Sequence, residues 1–454
     1  MTFKVLSSDL VPALTLAFSL VIASPFTLAK ETDAAKLDGP LTVVGAERAG
    51  NADGSIPAWN GGLKPGAAAI SANGDYADPF AGEKPLYVVE RGNLEQYAKL
   101  LSPGQQAMFK RYPDYRMPVY PTHRTSTLPK AYQDESRANL ARVTLAEGGN
   151  GLLGYNFGVP FPEPNQALEV MWNHLTRYRG GSARRSTASV TVQEKGDFTV
   201  VTNDALTAFR ERVSDLDAGE NLLFFNRILT TSPSRYAGEA LVVQEPINQV
   251  EEPRSAWQYI PGQRRVRRAP TLAYDSSARQ SFGQVVTDSV DGYNGAPDRY
   301  DWKLVGKQEL LVGYNAFRLA SKSLKYADLL KPGYLNPEQT RYEKHRVWVV
   351  EATLKPGARH VYAKRRFYID EDTWQIMVSD IYDTRGELWR LYESHLANYH
   401  DVELPITVAE ATYDLISGRY AVGYLSNEVR GKAEFGMPLS KSEFTSAQLK
   451  RLGK

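Results

Sequence analysis

The chain has 454 residues, of which 42% are hydrophobic, 11% aromatic and 23% charged, a globular balance that excludes a disordered or collagen-like polymer. Its 54 basic and 52 acidic residues leave a formal charge of +2, so no global attraction to nucleic acid is expected. It contains no cysteine, which excludes disulfides, thiolate nucleophiles, zinc–thiolate sites and iron–sulfur clusters.

Residues 1–29 read as an export signal. Lys4 gives a positive start, Val11 to Ala23 is mostly apolar, and Thr27-Leu28-Ala29 places small residues where a signal peptidase cuts, near Ala29. The apolar run falls short of the ~20 residues a spanning helix needs. An uncleaved anchor is the alternative. Residues 30–92, rich in Gly, Pro, Ala and Asn, predict an extended N-terminal arm. Residues 93–185 predict helices and loops packed on a sheet. Within them Leu94, Tyr97, Ala98 and Leu101 recur at helical spacing, and Ser102-Pro103 reads as an N-cap followed by proline at the first helical position. Leu168, Met171, Trp172 and Leu175 predict one apolar side of a helix over 166–178.

From 186 to 435 the pattern is β. Strand candidates begin near 222, 238, 255, 264, 308, 316, 345, 361, 374, 388, 406 and 419. Val361, Ala363, Phe367 and Ile369 alternate with Tyr362, Lys364, Arg366 and Tyr368, at period two. Turn residues separate the runs, as at Lys355-Pro356-Gly357 and Asp383-Thr384-Arg385-Gly386. Tight turns with few intervening helices predict an α+β chain dominated by an antiparallel meander. A final helix or tail occupies 436–454. Such a sheet must bury one face. Its aromatics, Trp257, Tyr259, Phe282, Trp302, Trp348, Phe367 and Trp389, are candidates to line a hydrophobic cavity or to fill an ordinary core.

The sharpest local feature is Arg264-Arg265-Val266-Arg267-Arg268. On a strand this puts Arg264 and Arg268 on one face, Arg265 and Arg267 on the other. One pair should be solvated. The other should meet an anionic headgroup, a partner surface, or internal carboxylates such as Glu251 and Glu252, because an unpaired buried charge is costly. Asn51-Ala52-Asp53-Gly54-Ser55-Ile56 resembles part of a calcium loop, but its first and twelfth positions, Ala49 and Asn60, lack the required carboxylates. An Asx-type turn is the simpler reading. Asp370, Glu371 and Asp372 share one hairpin turn and are expected to be solvated there. His395 and His400, with Asp401 and Glu403, are spaced so that the rings face opposite ways, which disfavours a shared ion. His123, His174, His345 and His360 have no supporting pattern. No nucleophile elbow, zinc-protease helix or phosphate loop is present. No catalytic residue, metal or cofactor is therefore assigned.

Gly45-Ala46-Glu47-Arg48-Ala49-Gly50-Asn51-Ala52-Asp53-Gly54, Gly158-Val159-Pro160-Phe161-Pro162, Trp257 to Tyr274, Val347 to Thr353 and Tyr368 to Trp374 resemble an exported proteobacterial family, domain of unknown function 1329. That family is similar to Lol-type carriers that sort outer-membrane lipoproteins. The resemblance implies a strongly curved, unclosed β-barrel with helices on its concave side. It implies a periplasmic carrier or accessory protein for a lipid or other hydrophobic molecule, partnered with an inner-membrane exporter and an outer-membrane protein. It carries over no catalytic residues. A non-catalytic assembly factor that binds a protein, and a hydrolase of an envelope polymer, are the alternatives. The seven aromatics above would line the cavity, and Arg264, Arg265, Arg267 and Arg268 would meet a headgroup or partner.

Overall fold

The fold is that of a computed structural model, which describes residues 1–2, 35–37, 39–217, 219–269 and 274–453. The expected signal lies outside the described residues apart from its first two. Thirteen strands carry the architecture: β1 (Ser182–Val192), β2 (Phe198–Phe209), β3 (Phe224–Ser232), β4 (Ala240–Glu245), β5 (Ser255–Ile260), β6 (Arg265–Arg268), β7 (Tyr300–Gly313), β8 (Tyr342–Leu354), β9 (Lys364–Asp370), β10 (Ile376–Tyr382), β11 (Leu388–Tyr399), β12 (Leu404–Asp414) and β13 (Tyr420–Leu425). With three short strands, Tyr87–Val89, Met117–Val119 and Glu434–Phe435, they form one 16-stranded sheet. Its order follows two antiparallel meanders. The second, β8 to β13, joins the first, β1 to β6, through the pairing of β13 with β1. The sheet is open, yet it bends until Gly313 of β7 bridges His395 of β11. No bridge closes β6 onto another strand among the described residues.

Period-two patterning explains the layers. In β2, Leu206 and Ala208 face a small core shared with Phe225, Val242, Tyr259, Phe444 and Leu449. The C-terminal helix α4 (Ser446–Leu452) covers that side. The alternate residues Asn203, Ala205 and Thr207 face the other way. Over β8 to β11 the inner face is filled by helix α3 (Ala167–Thr176), whose residues Ala167 and Val170–Thr176 are all buried. The single apolar side expected of this helix is thus corrected: it is enclosed all round, and His174 is hydrogen-bonded inside the core, its Nδ1 accepting from the Ile376 amide at 3.2 Å and its Nε2 facing the Tyr293 carbonyl at 3.2 Å.

Helix α1 (Pro103–Arg111) begins as read from the sequence. Ser102 and Gln105 form a reciprocal capping box, with proline at the first position. Helix α2 (Lys130–Arg142) was not foreseen. Its inward residues are Tyr132, Ser136 and Asn139, helically spaced but mostly polar. The strand expected near 316 is instead a short helical turn, Phe317–Ala320.

Candidate functional site

Residues of one parity on β1 to β4 open onto a cavity. Ala183, Arg185, Thr187 and Ser189 of β1, Asn203, Ala205 and Thr207 of β2, Asn226 and Ile228 of β3, and Leu241 and Val243 of β4 line one wall. Strands β12 and β13 supply a second wall, which includes Glu410 and Tyr424. The segment between β6 and β7 forms a cap over 278–294. Its volume is about 390 Å³, within the ~300–1,000 Å³ of small-molecule sites.

Charged pairs fasten the cap. Arg365 on β9, fully buried, donates to Asp288 at 2.8 and 3.0 Å, and His360 lies 3.1 Å from the same carboxylate. Asp291 receives Arg177, and Arg179 at 2.8 Å. Arg254 donates to Asn294 Oδ1 at 2.6 Å and to Glu245 at 2.5 Å. Arg279 reaches Glu239 at 2.7 Å. Burial pushes the Asp291 carboxyl up, but the Arg177 and Arg179 guanidiniums outweigh it and hold it well below the usual carboxylate range. Glu410 behaves oppositely. Burial, then the charge of Asp291, raises it to about 8, which favours its neutral form near pH 7. Tyr392 and the Asp291 amide both donate to its Oε2. Backbone strain collects at the same place: Gln280, Phe282, Asp291 and Tyr424 all have positive φ, from 50° to 64°, at a cost of about 1–3 kcal/mol each that persists only where the surroundings fix the conformation.

None of the seven aromatics singled out in the sequence lines this cavity. Phe367 is wholly buried in the core beside α3, where Trp302, Trp348 and Trp389 are partly buried. Tyr259 and Trp257 pack against the α4 side. Phe282 stands exposed on the cap. The arginine cluster departs from expectation as well. Arg264 adopts a left-handed turn with φ 50°, so strand alternation does not govern it. Arg265, Arg267 and Arg268 are exposed on β6, the last strand of the sheet. Among the described residues none of the four forms an ion pair, and Arg268 donates to the Ser255 hydroxyl at 3.4 Å. Neither Glu251 nor Glu252 meets them.

The Asp370–Asp372 turn is not solvated. All three carboxylates are buried, and the N-terminal arm meets their cationic partners, Glu47 pairing with Lys307 at 3.1 Å and the Ala49 carbonyl accepting from Arg346 at 2.8 Å. Arg124 forks onto Asp372 at 2.6 and 2.9 Å. Glu371 accepts from Lys307 at 2.9 Å and Arg346 at 3.0 Å. His345, Asp370 and Asp372 offer ligand atoms within 4.8 Å of one another. Arg124 already occupies the Asp372 carboxylate, whereas among the described residues Asp370 has no cationic side-chain partner but His345 at 3.7 Å, and burial with the nearby Asp372 charge raises its carboxyl to about 7. The cluster is best suited to pinning the arm. Residues 51–56 form the Asx-type turn: Asp53 accepts from the Ser55 amide at 2.9 Å and Asn51 from the Ile56 amide at 2.8 Å. No helix among the described residues is long and apolar enough to cross a membrane.

The sequence matches the family DUF1329, of unknown function, over residues 88–450. The uncharacterized protein PA3922 of Pseudomonas aeruginosa is 48% identical over 441 residues, covering 96% of this chain and 97% of that one. A crystal structure of a DUF1329 protein from Desulfovibrio piger is 14% identical, with a TM-score of 0.42 over 60% of this chain and 92% of that one. A putative outer membrane lipoprotein-sorting protein domain from Vibrio parahaemolyticus is 14% identical, with a TM-score of 0.43 over 63% and 98%.

Proposed function

The chain belongs to the DUF1329 family of proteins of unknown function, and on that footing we propose that it is an exported carrier or accessory protein that binds a hydrophobic ligand inside its curved sheet. One observation supports this reading above others: a cavity of about 390 Å³ under a cap fastened by buried ion pairs. Ile228, Leu241, Val243 and Val285 give it apolar surface. Each methylene buried there contributes ~0.8 kcal/mol, so a medium-length alkyl chain reaches micromolar binding. A removable cap suits uptake and release. Such a carrier would serve a periplasmic route, receiving from an inner-membrane exporter or delivering to an outer-membrane acceptor. The reading assigns no catalytic step: Asp291 and Glu245 are engaged by arginines and do not stand as a free acid and base.

The test is lipid-extraction mass spectrometry on protein purified from its native envelope. A bound amphiphile near one per chain is expected. An empty cavity that also takes up no added alkyl ligand would sink the proposal. The four exposed arginines on and beside β6 favour one second reading, docking to an acidic protein surface. It predicts that Arg265→Glu with Arg267→Glu breaks the complex while the lipid content stays constant.

A further inference from the structure

The cavity wall is not uniformly greasy, and its polar groups are not randomly placed. Cross-strand registers sort the inward residues of β1 to β4 into rows. One row runs Ala183, Thr207, Asn226, Val243. Its polar members satisfy each other, Thr207 donating to Asn226 at 3.2 Å. Another runs Thr187, Asn203, Thr230. There Thr230 donates to Asn203 at 2.9 Å and is covered by Gln280 of the cap, also at 2.9 Å. Between them lies a row of different character: Arg185, Ala205, Ile228, Leu241. A guanidinium stands at one end, and three apolar side chains lead away from it. At ~4.8 Å per strand the row is about 14 Å long.

Charge complementarity selects what fits that row. Arg177 and Arg179 share the single carboxylate of Asp291. Arg254 is matched by Glu245 and Arg279 by Glu239. Arg185 lines the cavity, half-buried, and among the described residues it meets no carboxylate and makes no hydrogen bond. Its contact is the ring of Tyr424, 5.5 Å away. A half-buried guanidinium left without an anion is an incomplete pair. The wall therefore holds more positive than negative charge, at the head of an apolar track.

We propose that the ligand is an anionic single-chain amphiphile, its carboxylate or phosphate oxygens on Arg185 and its alkyl chain along Ala205, Ile228 and Leu241. This rests on the carrier reading and names its ligand class. Charge-assisted hydrogen bonds to a guanidinium distinguish a charged head from a hydroxyl by ten- to a hundredfold.

Three probes of equal chain length decide it: decanoate, decyl phosphate and decan-1-ol, titrated by calorimetry against the full mature chain at pH 7. Wild type is expected to bind the two anions at least tenfold more tightly than the alcohol. The better of the two anions indicates a carboxylate or a phosphate head. Arg185→Gln is expected to erase the preference while keeping alcohol affinity, and Arg185→Lys to keep part of it. Should Arg185→Gln fail to fold, Arg185→Lys together with loss of the anion preference at high salt still reports on the charge. Equal binding of all three probes, or a preference that survives Arg185→Gln, overturns the headgroup assignment and leaves the carrier reading standing. Binding of none overturns both.

Discussion

Asp288→Asn tests how the cap is held. Arg365 is fully buried, and its Nη2 donates to both Asp288 oxygens, at 2.8 and 3.0 Å. Its other partners are the Tyr300 hydroxyl at 3.0 Å, the Ser289 hydroxyl at 3.4 Å and the His360 Nε2 at 2.9 Å, none of them an anion, and its Nε has no partner among the described residues. Asparagine keeps the volume, so no cavity contribution enters. It removes the charge, and the guanidinium stays buried without an anion. Breaking a buried pair from one side costs about 3–5 kcal/mol. Chemical denaturation should show that loss, whereas Asp134→Asn in the exposed Lys130 pair should stay within ~0.5 kcal/mol. The pH dependence adds a check. Burial raises the Asp288 carboxyl, but Arg365 and His360 outweigh it and hold it below its ordinary value. Its contribution is therefore present above the unfolded pKa and lost as pH falls through the folded one. The variant should lose less stability on acidification than wild type. A loss below ~1 kcal/mol, or one equal to that of Asp134→Asn, would refute the argument that this pair fastens the cap.

Glu410→Gln should flatten the stability profile on the alkaline side. The folded carboxyl sits near 8, so its contribution is whole below the unfolded value and fades as pH rises through 8. Between pH 6 and pH 8 wild type should lose about 1–2 kcal/mol more than the variant, at ~1.4 kcal/mol per pH unit at most; identical slopes in denaturation at the two pH values would contradict it. Ser102→Ala should cost about 2 kcal/mol in the same assay, since the hydroxyl both caps α1 and donates to buried Asp380 at 2.7 Å. A cost near zero would mean that water replaces both bonds.

Much of the sheet was readable because its determinants are local. Alternation located β9, turn residues separated the C-terminal strands, and Ser102-Pro103 marked α1. What failed depended on partners far along the chain. Aromatic identity shows that a residue wants burial but not on which side of a bent sheet it lies, so Trp302 and Phe367 pack in a core away from this cavity, while Phe282 stands exposed on the cap. The lining of this cavity on β1, Arg185, Thr187 and Ser189, alternates like a solvated face, and only the register with β2 to β4 reveals a concave one. The Asp370–Asp372 turn has the composition of an exposed loop. It is buried by Arg124, 248 positions away from Asp372, a contact no local pattern encodes. Helix α2 escaped notice because its inward side is held by Asn139 and Ser136 through hydrogen bonds to Phe157, Val159 and Tyr132, and apolar periodicity is blind to that.

Among the described residues strand β6 pairs with β5 alone. Its free backbone amides and carbonyls would template another molecule, the usual first step toward fibrillar stacking. Three of its four residues are exposed arginines, with a further one in the turn before it. Two such rims brought together would face each other with like charges at sheet spacing, and long guanidinium stems would obstruct the approach. A run of exposed charge at this border is the kind of feature that opposes edge-to-edge growth of so wide a sheet.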